Sequence, residues 1–192
     1  MALNNNSKDP IYLTVNNGKF VQKVEPNTKG AVKRVNSRDK VVYELTFDSL
    51  TATIINIKTD TDNEFGKQWR VVLTDNGQIY VINLLCNSNY GFTFACALPN
   101  VDLKSKLTIR PYYELVDNKP KMAIWLYQDR HAIKWKYTNL NTNGLPPLIQ
   151  KKGKGKDKGK IIYDNTDRLQ FLQEMIENEI LPQLGHESVI DK

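Results

Sequence analysis

Gln68-Trp69-Arg70-Val71-Val72-Leu73-Thr74, the turn Asp75-Asn76-Gly77, and Gln78-Ile79-Tyr80-Val81-Ile82-Asn83-Leu84 form the clearest β-hairpin in this 192-residue chain. Two runs rich in β-branched and aromatic residues flank an Asn-Gly pair, which accepts the positive φ angles of a tight hairpin turn. Alternation puts Trp69, Val71 and Leu73 on one face and Gln68, Arg70, Val72 and Thr74 on the other, predicting a core Trp69 and a surface Arg70.

The same pattern extends in both directions. Upstream, Val41-Val42-Tyr43-Glu44-Leu45-Thr46-Phe47 and Thr51-Ala52-Thr53-Ile54-Ile55-Asn56-Ile57-Lys58 predict two strands. Residues 11–24, with Asn17-Gly18 at their centre, predict a hairpin at the edge of the fold, preceded by a polar tail and followed by a basic connector over 25–40. Downstream, residues 87–102 break the alternation around Tyr90-Gly91-Phe92 and end near Pro99, predicting a short helix or structured loop. Three further strands are expected over 106–116, 121–128 and 132–137, joined by turns at Asp117-Asn118-Lys119-Pro120 and Asp129-Arg130-His131. Leu169, Leu172, Ile176 and Ile180, widened by Phe171 and Met175, mark one face of a final helix, with Asp164 or Thr166 as its cap and Pro182 as its stop.

Several short strands interrupted once, between the third and fourth, outline a mainly β fold: an OB-fold-like Greek-key barrel with an extra N-terminal hairpin and a C-terminal α-helix. Other small barrels and sandwiches share the outline. The expected organisation is residues 1–40 as polar tail, hairpin and basic connector, 41–140 as the OB-like barrel, 141–163 as a flexible Lys/Gly-rich linker, and 164–192 as amphipathic helix and acidic tail. The linker reading follows from Lys151-Lys152-Gly153-Lys154-Gly155-Lys156-Asp157-Lys158-Gly159-Lys160, too rich in glycine and like charge to pack.

Charge adds direction. The chain carries +6 overall, yet after Lys160 seven acids face only Arg168 and Lys192, so the end is near −5 and the remainder near +11. A basic body favours an anionic partner, and an acidic end can compete for its site. Cys86 and Cys96 stand outside any close Cys/His cluster, so no structural metal set is expected, and thiols in a reducing cytosol are the natural reading. No stretch resembles a signal peptide or approaches the roughly 18 apolar residues of a membrane span, so a soluble cytoplasmic protein without membrane association is expected (host cell cytoplasm if viral).

Aromatic and basic side chains interleave along the later strands, the combination that grips an unpaired nucleic-acid strand by stacking and phosphate contacts. Met122, Ile124 and Leu126 are the natural core face of their strand, leaving Trp125 and Tyr127 as a platform. Trp135 aligns with Ile133 and Tyr137, while Lys134 and Lys136 line the opposite face, to meet phosphates or only to solvate it. Arg110 and Tyr112 share a face, and a guanidinium both pairs with phosphate and stacks on bases. The nucleic-acid-binding set is therefore Arg70, Arg110, Tyr112, Trp125, Tyr127, Arg130, Lys134 and Lys136, with Lys151, Lys152, Lys154 and Lys156 as a mobile cation or a solubilising linker. The lysine run lacks the G-x-x-x-x-G-K-[ST] arrangement of a nucleotide loop. The two histidines, His131 and His186, give catalysis little support, so neither enzyme nor cofactor is expected.

On the Asn-Gly hairpin, the break from Asn89-Tyr90-Gly91-Phe92 to Leu98-Pro99-Asn100, and the later aromatic strands, the chain resembles the single-stranded DNA-binding proteins of tailed bacteriophages with an OB-fold. The resemblance covers the strand layout from Thr51 to Tyr137. It implies a protein that coats replication or recombination intermediates, without cofactor or chemistry, with replication or recombination proteins as partners recruited through an acidic tail. Here the acidic part is an amphipathic helix instead of a disordered tip, which puts that recruitment in doubt and offers the helix for packing or for homo-oligomer formation. The alternative is a phage structural or assembly protein that uses barrel and helix for protein contacts, and an enzyme acting on nucleic acid ranks third.

Overall fold

The computed structural model of the chain describes residues 9–36, 38–63, 66–153 and 158–185. Lys154 and Lys156 of the expected binding set lie outside the described residues, as does the end of the acidic tail. The strands are β1 (Ile11–Asn16), β2 (Lys19–Val24), β3 (Val32–Val35), β4 (Val41–Phe47), β5 (Leu50–Asn63), β6 (Gly66–Asp75), β7 (Gln78–Leu85), β8 (Leu107–Val116), β9 (Lys119–Gln128), β10 (His131–Ala132), β11 (Ile149–Lys152) and β12 (Ile161–Asp164). Helix α1 (Asn89–Ala97) runs into a 3-10 turn, Leu98–Asn100. At the C-terminal end α2 (Thr166–Met175) continues through a π turn, Ile176–Ile180, into α3 (Leu181–Leu184).

Ten strands form one sheet in the order β10-β9-β8-β5-β6-β7-β1-β2-β4-β3, and β11 and β12 form a separate pair. Every pairing is antiparallel except β1 on β7. Strand β5 turns the corner of the sheet. Its residues 50–52 pair with β8 and its residues 53–63 with β6, with register irregularities between Ile54 and Asn56 and between Lys58 and Thr61. Extra residues of this kind bend a strand and deepen its twist.

The curl brings the β1–β2 turn back against β8. Gly18, with φ of +74°, donates its N–H to the Tyr90 hydroxyl at 3.0 Å, and a Cβ there would sit 2.8 Å from the Tyr113 nitrogen. Only glycine satisfies both the left-handed backbone and that approach. The N-terminal hairpin is thus interior to the sheet, between β7 and β4, and not the edge element its sequence implied. The basic connector likewise contains a strand, β3, and β4 pairs with β2 and β3, while β5 lies elsewhere in the sheet. Local alternation marks a strand but does not name its neighbour.

Pro111 shows why β8 tolerates a proline. Ile124, opposite it on β9, directs its N–H out of the pair to the Thr93 hydroxyl at 2.8 Å. The facing proline nitrogen therefore also points away from β9, toward the side where β5 pairing has ended at Ile109. Helix α1 covers the outer edge of β9 beside the short pairing with β10 and is buried over most of its length. The strand expected over 132–137 is consequently short: β10 ends at Ala132, and Lys136 donates its backbone N–H to Cys96 instead.

The C-terminal helix packs on its own chain. Leu172, Met175, Ile176 and Ile180 join the cluster that holds Trp69, Ile57, Phe94 and Leu98. The N-cap position is held by Asn165, and Asp164 just before it accepts the Thr166 N–H at 3.0 Å. Pro182 does not end the helix, because the π turn just before it rearranges the hydrogen bonds that its ring and missing N–H would disrupt, and the chain leaves at Gly185 with φ of +72°. Residues 149–152 and 161–163, expected within a flexible linker, are strands: with Asp164, expected to open the helix, they pair as β11 and β12.

Glu44 is 6% exposed and is held by a bidentate pair from Arg34, at 2.6 and 2.8 Å. Hydrogen bonding from Arg34 lowers the carboxyl below the ordinary glutamate range despite the opposing cost of burial. The folded chain then binds this proton more weakly than the unfolded one, so its stabilisation is complete above the ordinary value and lost as the pH falls through the depressed one. Glu44→Gln is expected to lower stability at neutral pH by about 1.5–3 kcal/mol, toward the low end because Arg34 remains half in water. Urea unfolding across a pH series should show a shallower acid limb for the variant, and equal limbs would refute the assignment.

Candidate nucleic-acid interface

Strands β8 and β9 turn Leu107, Ile109, Ile124 and Leu126 into the core, each at most 1% exposed. Alternation then sends Thr108, Arg110, Tyr112 and Glu114 outward from β8, and Lys121, Ala123, Trp125 and Tyr127 outward from β9. The register sets Thr108 opposite Tyr127, Arg110 opposite Trp125, Tyr112 opposite Ala123, and Glu114 opposite Lys121. Four of the expected contacts, Arg110, Tyr112, Trp125 and Tyr127, therefore share one face.

Trp125 stacks on Trp135, with ring centroids 5.4 Å apart and an interplanar angle of 20°. Their rings and Tyr112 line an open groove of about 400 Å³, with Ala123, Lys121 and Asn89 among its other walls. Ala123 sits between the larger side chains, and its single methyl leaves the space that defines the groove. Trp135 presents a buried indole Nε1 that has no hydrogen-bond partner. A planar ligand entering here would meet an aromatic face, and base–aromatic stacking is the interaction such a face offers to any of the four bases.

The cations are unequally placed. Arg110 is exposed beside Trp125, and its charge helps hold Asp48 below the ordinary carboxylate range, after the larger effect of the Lys19 hydrogen bond. Lys121 and Lys134 are exposed, and Arg130 occupies the tip of the β9–β10 turn with φ of +67°. A bulky residue in the left-handed region is uncommon, and Arg130 is exposed there. Lys136 instead lies 3.4 Å from Glu179 and 5.5 Å from the centre of the Tyr137 ring, so its charge is partly engaged. Tyr112 donates its hydroxyl to Glu114, which pushes the phenol's pKa up and keeps it neutral.

Arg70 is apart from this group. It lies across from Lys58 on β5 and Asn83 on β7, with its Nε 3.3 Å from the Asn83 Oδ1. Lys151 and Lys152 belong to β11, where Lys151 pairs with Asp164 and holds that carboxyl well below its usual range. Among the described residues no group of three or more His, Cys, Asp or Glu is arranged to hold a metal ion. Burial pushes the Cys96 thiol up to about 12, so it is not a thiolate near neutral pH.

Trp135, Lys121 and Ala123 escaped the sequence reading as groove residues. A signal for Trp135 was present: extending the register Gln128 to His131 and Tyr127 to Ala132 brings residue 134 opposite Trp125, with Trp135 beside it. Ile133 still donates its N–H to Leu126 at 2.8 Å, the ladder ends before Lys134 can pair with Trp125, and the Trp135 ring stacks on Trp125. Comparison with family models, with curated proteins and with solved structures finds no match, so the interface rests on its own geometry.

Two coupled indoles at this separation should give an exciton couplet in the far-ultraviolet circular dichroism spectrum. Trp125→Phe and Trp135→Phe are each expected to abolish it, whereas Trp69→Phe, in the core, should leave it. A couplet that survives either of the first two substitutions would rule out the stack.

Proposed function

We propose that this chain is a single-stranded DNA-binding protein without sequence preference, which stacks bases on the Tyr112, Trp125 and Trp135 rings and neutralises phosphates with Arg110, Lys121, Arg130 and Lys134. The observation that carries the reading is the Trp125–Trp135 stack with a guanidinium across the strand from it. Bases of a duplex are already stacked on one another and cannot reach such a face, whereas an unpaired strand offers a base at every nucleotide. Coating of replication or recombination intermediates is the role in which sequence-independent stacking serves best.

The connectivity of β5 to β9 supports an OB-fold-like Greek-key barrel as the carrier. A bent first strand pairs with both the second and the fourth, and a helix lies between the third and fourth. The third and fifth strands do not pair here, and β1 adds to β7 in their place. That departure extends the sheet into the N-terminal meander while leaving the outer face of β8 and β9 open. A phage assembly role, or a homo-oligomer built through the C-terminal helix, has less support, because the apolar side of that helix is already buried in its own chain.

Fluorescence anisotropy with oligo-dT, duplex DNA and single-stranded RNA across a salt series tests the proposal. Preference for the single strand is expected, with Trp125→Ala weakening it by about 5- to 150-fold, the equivalent of about 1–3 kcal/mol per stacked base, and Trp125→Phe retaining most of the affinity. Arg110→Ala should lower the slope of log K against log salt by about 0.7 for one lost phosphate contact. Equal affinity for duplex and single strand, or none for either, would sink the proposal.

A further inference from the structure

The β11–β12 pair has little beneath it to account for its composition. Ile161 is 61% exposed, Tyr163 56%, Ile162 42% and Ile149 39%, so apolar side chains face water on both sides of a two-stranded sheet. A lone pair of strands is marginal in water, and exposed apolar surface concentrated on one small element marks a contact surface. Its described residues carry four lysines against Asp164 alone, which selects an anionic occupant. The register sets Gln150 opposite Tyr163 and Lys152 opposite Ile161, so Lys152 and Tyr163 share a face.

Tyr163 also forms one wall of a cleft of about 290 Å³ between the hairpin and α1, together with Asn89, Phe92, Leu148, Asn165 and Arg168. The Arg168 guanidinium lies 5.8 Å from the Phe92 ring centre, and its Nε donates to the Pro146 carbonyl at 2.8 Å, which fixes its plane. A ring, a fixed guanidinium and a lysine on the adjoining strand repeat the chemistry of the β8–β9 groove. Asn89, at the start of α1, lines both hollows, so the two meet there.

Resting on the single-strand reading above, we propose that this cleft is a second nucleotide subsite, in which Tyr163 stacks a base and Arg168 and Lys152 take phosphates of the strand that has crossed α1 from the Trp125 groove. The paired residues of β11 and β12 are then covered by the bound strand, and their apolar side chains meet bases and sugars.

The test is the affinity of the full chain for oligo-dT of about 4 to 16 nucleotides, the span of site sizes such barrels cover. The intact protein is expected to gain affinity in a step once the strand reaches both hollows. Tyr163→Ala, at an exposed position, should remove about fivefold or more from long-oligomer affinity and leave short-oligomer affinity unchanged, with Tyr163→Phe restoring the step. If Tyr163→Ala binds every length like the intact chain while Trp125→Ala weakens all of them, the second subsite is wrong and the single-strand reading stands. If the intact chain binds no oligomer, both fall, and a protein partner for the hairpin takes their place.

Discussion

The hydroxyl of Thr93 accepts the Ile124 N–H at 2.8 Å, and through that bond a buried helix lies along the edge of β9 beside its short pairing with β10. An uncovered edge would present a row of unpaired backbone groups to water or to another chain. Here α1 covers it, while at its start Gly91 lies so close to the end of β7 that a Cβ would sit 2.3 Å from the Leu85 carbonyl oxygen. With one edge of β9 held by β8 and the other by α1, the outward side chains of both strands stand on a fixed base. The flat relation between Trp125 and Trp135 depends on this, because Trp135 reaches its position on a segment tied to the C-terminal end of α1 through Cys96.

The charge pattern follows the same architecture. Among the exposed cations near the groove, Arg110 and Lys121 sit on strands, Arg130 at a turn tip and Lys134 just past β10, while other cations are committed to carboxylates. Arg34 holds Glu44, and Lys136 lies beside Glu179 on the C-terminal helix. That last contact, like Lys151 with Asp164 and the Thr59 hydroxyl with Glu177, joins the acidic end to the rest of the chain. An exposed ion pair of this kind is weak and salt-sensitive, so it tunes the local field more than it holds the fold.

Much of the candidate interface was legible before the structure, for a specific reason. Ile124 and Leu126 are plainly core by alternation, so Trp125 and Tyr127 had to face the other way, and the same logic set Arg110 beside Tyr112. The reading of Arg70 as part of the same site did not survive, since its strand lies on the other side of the β5 bend. Lys136 was legible as a cation but not as a partner of Glu179, which is 43 residues away in sequence. The lysine-glycine run misled in a different way: its composition argued against packing, yet its first two residues, Lys151 and Lys152, belong to β11, which pairs with β12 directly after the run.

By itself the sequence determined the tight turns and most of the longer strands, but not β3, β11 or β12. Asn17-Gly18, Asn76-Gly77, Asp117-Asn118 and Asp129-Arg130 all adopt positive φ at both positions, so each tight turn was written in its own residues or in those beside it. Alternation determined the buried side of β8 and β9, and spacing determined the apolar face of the last helix. Only the tertiary structure decided which strands are neighbours: β1 lies parallel to β7, β4 joins β2, and α1 closes the edge of β9. It also decided that Trp135 leaves the sheet to stack on Trp125. Turn geometry and side-chain alternation act over a few residues, whereas strand order and ring contacts are set by closing one core from segments far apart in the chain.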